Sequence, residues 1–589
     1  MTDATRNLLD QHFETAFAAP DGVAKLRELI LTLAMQGKLV EQDPNDSPAS
    51  ELLKEIETEK QRLVKAGKIK KPKPLPEVSD EEVTHEIPAS WAWVRFGDIA
   101  QHNSGKTLDK GRNTGEPRDY ITTSNLYWGR FELDNVRQML IRDDELKKCT
   151  AKKNDLLICE GGEAGRAAVW HFDSEVCFQN HVHRARFYKD IDPYFAYRFF
   201  EKLNATGKIN QHRKGVGISN MSSKALASIV FPLPPLPEQH RIVARIDQLM
   251  ERCDALEQLR KEREEKRLAV HAAAIKQLLD PTLRAFAPSR EENSSNLRAF
   301  VSSCETKEPF AFLAQHFGEL YTVKENVAEL RKAILQLAVM GRLVPQSPND
   351  PTASQLLQEI EAEKQRLVKS KKIKRTKPVS SIPQDGEPFP VPDNWRWVRI
   401  AKLAESIDYG TSQKTCDDSS LVPVYRMGNI VDGQLIDERF KYIAPDIDEL
   451  PRLFLQPNDI LFNRTNSYEL VGKSARYTGP VEHATFASYL IRVRLFDALL
   501  NPVFISQAMN APYFRSTQIE PEIVQQCGQA NFNGTKLSLC AVPLPPLPEQ
   551  HRIVARIDQL MALCDALDQQ IDAATGKQTE ILNAVMAQV

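Results

Sequence analysis

The sequence predicts an α+β protein with a pseudo-twofold internal repeat, in which two globular modules are joined and spaced by long, coiled-coil-like helices. Three observations carry that expectation. The run PLPPLPEQHRIVARIDQLM at residues 232–250 returns letter for letter at 543–561. An amphipathic segment, VAKLRELILTLAMQGKLV from Val23, returns as VAELRKAILQLAVMGRLV from Val327. After each Pro-rich run, apolar residues recur at helical spacing. They are Ile242, Ile246, Leu249, Cys253 and Leu256 in the first copy, and Ile553, Ile557, Leu560, Cys564, Leu567 and Ile571 in the second. Steps of four and three with charges between them suit a helix lying along a partner helix. An ordinary core-facing helix is the blander reading of the same stripe.

The elements follow in one order in each copy. Val23, Leu26, Ile30 and Leu33 form one stripe of an opening helix, and Gly37 is placed to end it. A second helix is expected to start at Ser47-Pro48, or Asp350-Pro351, as cap and first position; it carries EKQRLVK at Glu59 and again at Glu363. Basic tracts follow, KAGKIKKPK from Lys65 and KSKKIKRTK from Lys369. A solvated linker and a phosphate-contacting surface are equally good readings of them. Each module then opens on a Trp-bearing strand, WAWVRFGDIA at Trp91 or WRWVRIAKLA at Trp395, and contains DLLI at Asp155 or DILF at Asp459. The Pro-rich run closes the module as an extended path without ladder hydrogen bonds. Pro237 or Pro548 then opens the seam helix with Glu238-Gln239 or Glu549-Gln550 in its first turn, and the first copy runs to about Asp280.

The copies lie 304 residues apart through Asp155 and 311 apart at the Pro-rich run, so the second module has gained residues internally. The expected parts are 1–90 (helices and basic linker), 91–235 (first module), 236–394 (central helices, linker and second-repeat helices), 395–546 (second module) and 547–589 (last helix). The central seam helix leads towards the helix at Val327. By repeat symmetry the last helix should lie beside the helix at Val23.

A chain of 589 residues exceeds what one hydrophobic core serves, so two to four domains are expected. No apolar run approaches a membrane span, and the N-terminus with Asp3 and Glu14 is no secretory signal. A cytoplasmic protein without a membrane partner is expected. Nine cysteines without paired CxxC spacing argue against a disulfide framework and a zinc site. The net charge of −2 does not by itself suggest a nucleic-acid binder.

Catalytic motifs fail on inspection. Ser104-Gly105-Lys106-Thr107 has the ending of a phosphate-binding loop, yet Ala100 stands where the first glycine is required. Asn510-Ala511-Pro512-Tyr513 resembles the Asn-Pro-Pro-Tyr signature of amino-methyltransferases, but its first Pro is Ala and no FxGxG cofactor loop accompanies it. A helix-end turn is the simpler reading. His181 and His183 could ligate a metal from one strand face, but lack a carboxylate or Cys at useful spacing. The chain is expected to be non-catalytic, with no cofactor and no metal of its own.

Between the framework pieces the copies diverge. YITTSNLYW (120–128) faces VYRMGNIVDGQ (424–434), and EGGEAGR (160–166) faces NRTNSYE (463–469). A scaffold kept twice while its loops differ is what two reading heads with different targets would need.

Two variable modules, each opened by a Trp strand and closed by PLPPLPEQ running into a long helix, resemble the specificity subunits of type I restriction and modification enzymes. ILTLAMQGKLV and ILQLAVMGRLV, with their downstream EKQRLVK helices, make the chain most similar to the EcoA-like (type IB) group. The resemblance covers almost the whole chain. It implies two target-recognition domains held apart by antiparallel helices, each reading one half of a split target in double-stranded DNA across an unspecific gap. It also implies partners. Two modification subunits would dock for adenine-N6 methylation with S-adenosylmethionine, and two restriction subunits would add ATP-dependent translocation and cleavage. Methyl donor, ATP and Mg2+ would then be bound by the partners.

Under that resemblance, Arg, Lys, Asn and Gln on the variable loops are candidates to reach DNA. They are Lys106, Arg112, Asn125, Arg130 and Arg166 in the first module, and Arg426, Asn429, Arg464, Asn466, Lys473, Gln529 and Asn531 in the second. For any one of them a solvated side chain or turn former is the blander reading. The seam residues are expected to serve helix pairing and subunit docking together. A coiled-coil scaffold with two protein-binding modules would also explain the seams, but not the divergence of the polar loops. A self-contained methyltransferase is weakened by the missing cofactor loop.

Overall fold

Helices and sheets alternate along the chain as the repeat predicts, and each copy builds its own core. The computed structural model describes residues 13–109, 111–214, 219–280, 312–313, 315–375, 378–479, 481, 483–526 and 529–587. Two units emerge, one formed by 1–262 with 574–589 and the other by 263–573.

In the first unit the opening helix is Gly22–Met35, with Val23, Ile30, Leu31, Ala34 and Met35 buried. Gly37 ends it at φ +68, and a Cβ there would strike the Pro88 ring at 2.4 Å. The second helix is Ala49–Lys65. Its start corrects the expectation from Ser47-Pro48, because Pro48 is the N-cap and Ala49 N donates to Ser90 O at 2.8 Å. Its counterpart Ala353–Lys369 starts at the same place, with Ala353 N on Asn394 O at 2.9 Å and a capping box between Thr352 and Gln355. A tertiary hydrogen bond therefore sets both starts.

The first module opens with a two-stranded ribbon, Ala92–Arg95 antiparallel to Val230–Leu233, with Trp93 opposite Pro232. The Pro-rich run thus begins inside a ladder, contrary to expectation. A two-stranded ribbon is all edge, so a proline is tolerated where its nitrogen faces away. A four-stranded antiparallel sheet follows in the order Ala167–Val169, Leu156–Cys159, Val182–Phe187, Ala100–Ser104. A second sheet orders Arg137–Ile141, Glu116–Ile121, Val176–Phe178, Thr150–Ala151, with one parallel pairing between 176–178 and 116–121. Helix Pro193–Ala205, capped by the Asp192 carboxylate, adds Phe195, Phe199 and Phe200 to a core shared with Phe96 and Phe231.

The second unit repeats the plan with the opening helix Lys324–Val339. Ribbon Arg396–Arg399 pairs with Ala541–Leu544. The four-stranded sheet runs Ala404–Tyr409, Leu490–Leu495, Ile460–Asn463, Ser474–Arg476, and a three-stranded sheet again carries one parallel pairing, 422–425 with 485–486.

The seam helices are Leu236–Leu278, 43 residues and about 65 Å long, and Leu547–Ala587. Ile242, Ile246 and Cys253 are buried in one core with Val23 and Ile30, with Leu249 and Leu256 packed at its margin. Ile553, Ile557, Leu560 and Cys564 are buried in the other unit's core with Val327 and Leu330, and Leu567 and Ile571 flank it. Arg27 reaches Asp254 and Glu257 at 2.6 and 2.8 Å, while Arg331 reaches Asp565 and Asp568 at 2.8 Å. The helix-pairing half of the seam expectation holds. Most of these side chains are used inside their own unit, while Leu249, Leu256 and Leu567 are only partly buried.

The ends of the helices obey the repeat symmetry. Leu582 is buried with Phe17 and Leu29 in the first unit. In the second, Ala274, Ile275 and Leu278 join the core that holds Val327, and His271 Nε2 lies 3.0 Å from Tyr321 Oη. Among the described residues no helix is long and apolar enough to cross a membrane.

Candidate nucleic-acid interface

The doubled Glu-Gln of PLPPLPEQ clamps each module to its helices. Trp91 Nε1 donates to Glu238 Oε2 at 2.9 Å and Gln42 Nε2 to Glu238 Oε1 at 2.5 Å. Trp395 and Gln346 do the same to Glu549 at 3.0 and 2.7 Å. Burial pushes both carboxyls above the usual Glu value, against these donors. Gln239 accepts from Asp192 N and donates to Pro234 O, both at 2.9 Å, and Gln550 treats Asn501 N and Pro545 O alike. Arg241–Asp46 and Arg552–Asp350 close each socket at 2.6 Å. The letters recur because every one of these side chains is engaged.

A second duplicated device stiffens each central sheet. Arg186 binds Asp155 through Nε and Nη2 at 2.7 and 2.6 Å, and Arg494 binds Asp459 at the same distances. The neighbouring arginines differ. Arg492 is buried against Asp408 at 2.7 Å. Arg184 has Asn103 across the ladder and Thr150 O at 2.5 Å. Burial, then the charge of Arg186, push the Arg184 pKa down to about 10.

On this framework the first-module candidates separate. Asn125 is 4% exposed and wholly occupied within its turn, accepting from Thr122 N and donating to Glu132 O and Asn135 O. Lys106 is ion-paired with Glu145, and Arg112 is exposed beside Asp109 at 3.7 Å. Arg130 and Arg166 are brought together at the Tyr127 ring, 4.9 and 5.3 Å from its centroid. Arg130 pairs with Glu132 at 2.9 Å. Arg166 binds Glu163 at 3.1 Å and Thr123 O at 2.6 Å, and Trp128 Nε1 also donates to Glu163, at 2.8 Å.

In the second module Asn429 repeats the Asn125 turn, accepting from Arg426 N and donating to Ile436 O and Glu438 O. Both Asn side chains are buried and bracket their turns. The divergent TTSN and RMGN thus share one fold. The Arg426 side chain donates to Arg439 O at 3.1 Å, and no hydrogen bond among the described residues joins it to Arg464, Asn466, Lys473, Gln529 or Asn531. Those others gather, because Thr465–Asn466 pairs with Gln529–Asn531, and Lys473 O receives Asn463 N at 2.8 Å. Arg464 stacks on Tyr409 at 5.0 Å, and Tyr409 Oη accepts from Gly534 N at 2.7 Å. Asn531 Oδ1 accepts from Thr465 Oγ1 at 2.8 Å and Asn466 Oδ1 from Ser467 N at 2.9 Å. The exposed rings Tyr409 and Tyr489, both absent from the sequence shortlist, border this cluster.

The rejected motifs have structural uses. A Cβ on Gly105 would lie 2.0 Å from Phe178 O, and one on Gly410 would lie 2.3 Å from Phe486 O, so these glycines permit strand approach. Asn510 ends helix Pro502–Asn510 and bonds Ser474 O and Ser506 O at 2.9 Å. His183 is buried against Met221 O at 2.9 Å. Among the described residues no three His, Cys, Asp or Glu side chains gather to hold a metal.

The family described as type I restriction modification DNA specificity domain matches the chain twice, over 88–265 and 392–574. The chain is 32% identical over 586 residues to the EcoAI specificity subunit of Escherichia coli, covering 95% of this chain and 92% of that one. It is 30% identical over 592 residues to the EcoEI specificity subunit of Escherichia coli, with coverage of 96% and 93%. The crystal structure of an HsdS subunit from Thermoanaerobacter tengcongensis aligns at 16% identity and a TM-score of 0.41, covering 85% of this chain and 98% of that one. By the doubled family match and the near full-length relatives, the chain belongs to the specificity subunits of type I restriction enzymes, the non-catalytic recognition subunits of those systems.

Proposed function

We propose that the module at 91–235 reads one half of a bipartite target in double-stranded DNA and the module at 395–546 the other, while the helices set the unspecific gap. The observation that carries this is one buried framework built twice under two different sets of polar, Arg- and Asn-bearing loops. Modification and restriction subunits, two of each, are the partners, and they bind S-adenosylmethionine, ATP and Mg2+; the assembly works in the cytoplasm. With most of the seam side chains buried, partners dock on the outward charged faces of the helices. The test is to purify the chain with its modification partner, select from randomised duplexes, and repeat after exchanging 91–235 for the same span of a related subunit. One half of the target should change and the other persist. Loss of both halves would mean that the modules read jointly, and no selection at all would return the scaffold reading.

A further inference from the structure

The backbone hydrogen bonds bring one position of the two modules into register. Cys159 N donates to Arg166 O at 2.7 Å and Asn463 N to Lys473 O at 2.8 Å, while Cys159 O and Asn463 O accept from Gly165 N and Gly472 N at 2.9 Å. The next residue is then held by the same two bonds in each module. Glu160 N donates to His181 O at 2.8 Å and Glu160 O accepts from Met221 N at 2.8 Å. Arg464 N donates to Tyr489 O at 3.0 Å and Arg464 O accepts from Phe532 N at 2.8 Å. Each residue leads into a short ribbon, Gly161–Gly162 with Ser219–Asn220 or Thr465–Asn466 with Gln529–Asn531. One scaffold position therefore presents a carboxylate in the first module and a guanidinium in the second.

Neither head is saturated. Among the described residues the one Lys, Arg or His nitrogen within 4.0 Å of the half-buried Glu160 carboxylate is His183 Nε2, at 3.8 Å. Arg464 makes one side-chain hydrogen bond among the described residues, Nη1 to Ser488 O at 3.3 Å, and its buried Nε has no partner. A carboxylate close to phosphates is repelled unless a base offers it a donor. In the major groove such donors are the exocyclic amino groups, whereas a guanidinium matches guanine O6 and N7 with two hydrogen bonds.

We propose that this position determines specificity in both modules, Glu160 accepting from a cytosine or adenine amino group and Arg464 donating to a guanine edge. The inference rests on the DNA-recognition reading. Glu160→Met and Arg464→Met keep apolar stems in place and remove the charged heads. Each variant, assembled with the modification partner, would be put through selection from randomised duplexes and titrated against salt, with melting temperature as the fold control. Arg464→Met should lose roughly ten- to hundredfold discrimination at one guanine of one half-site. Glu160→Met should relax one position of the other half-site, with every remaining position kept. Unchanged preferences in folded variants would overturn the proposal. So would a uniform loss across sequences with a salt slope lower by about one, which marks a phosphate contact. If a Met variant melts early, the Ala variants decide by the same readout. A wild-type complex that selects nothing would instead overturn the recognition reading itself.

Discussion

The two modules share most of their buried charges and differ in their outer ones, a contrast that separates what holds the fold from what faces a ligand. Inside, Glu238 and Glu549, Asp155 and Asp459, and Arg186 and Arg494 have the same partners at nearly the same distances. Outside, the first module pairs Lys106 with Glu145, Arg130 with Glu132 and Arg166 with Glu163. In the second module Arg426, Arg464 and Lys473 have no carboxylate within 4.0 Å among the described residues. These three cations carry no acid partner there and are open to an anion. Those of the first module must first give up acids of their own.

The largest effect that tests this contrast lies in the core. Asp155→Ala leaves Arg184 and Arg186 buried or half-buried without a carboxylate, at a cost of about 3–5 kcal/mol. Asp459→Ala should cost less, because Arg492 keeps Asp408 at 2.7 Å. Chemical denaturation of the intact chain should show that order, and equal costs would mean the Arg492–Asp408 pair contributes nothing. Next come the sockets. Glu238→Gln and Glu549→Gln each remove one carboxylate acceptor, which faces two N–H donors in the first socket and three in the second, worth about 1–3 kcal/mol. Burial raises both carboxyl pKa values, so the folded chain holds extra protons above the ordinary value of 4.5. Their contribution is full below that pH and is lost as pH rises through the folded values. The double variant should flatten this fall in a melting-temperature profile.

Asn103→Asp is a smaller change in the opposite direction. It would give Arg184 the cross-strand carboxylate that Asp408 gives Arg492, and should stabilise by about 1 kcal/mol. No rise in melting temperature would mean that Asn103 and Thr150 O already satisfy the guanidinium. Smallest in energy are the outer pairs. Glu132→Gln with Glu163→Gln should tighten DNA binding by the assembled complex a few-fold, with a steeper salt slope. Lys473→Gln should weaken binding and lower that slope by about one. Identical slopes for all variants would erase the contrast between the modules.

The repeat, the order of elements and the seams were legible because letter identity and helical spacing are local signals. Helix starts were not, since Ala49 N and Ala353 N take their partners from residues far along the chain. The destination of the seam could not be read either. Spacing says that Ile242 packs on something, while only the fold says that its core holds Val23 and Ile30. Of the candidate site, Arg464, Asn466, Lys473, Gln529 and Asn531 gather, whereas Asn125 and Asn429 prove to be turn brackets. Glu160, the proposed counterpart of Arg464, is absent from the sequence candidates, as are Tyr409 and Tyr489. Setting EGGEAGR against NRTNSYE from Asn463 placed the copies one residue out of register, and the loop from Asn463 to Gly472 is three residues longer than that from Cys159 to Gly165. The signal was nevertheless present. The 304-residue offset of Asp155 and Asp459, continued without a gap, puts Glu160 on Arg464.

The clamp around Glu238 and Glu549 makes the modules spare parts for one another. Glu238 and Gln239, braced by Gln42 and the Arg241–Asp46 pair, offer the first module what Glu549 and Gln550, braced by Gln346 and the Arg552–Asp350 pair, offer the second. Trp91 and the Asp192 amide could plug into the second socket without altering a stem residue. A gene encoding such a chain can trade or duplicate its reading heads by recombination within its own repeats, because the seams where DNA crossovers would fall encode the same fittings.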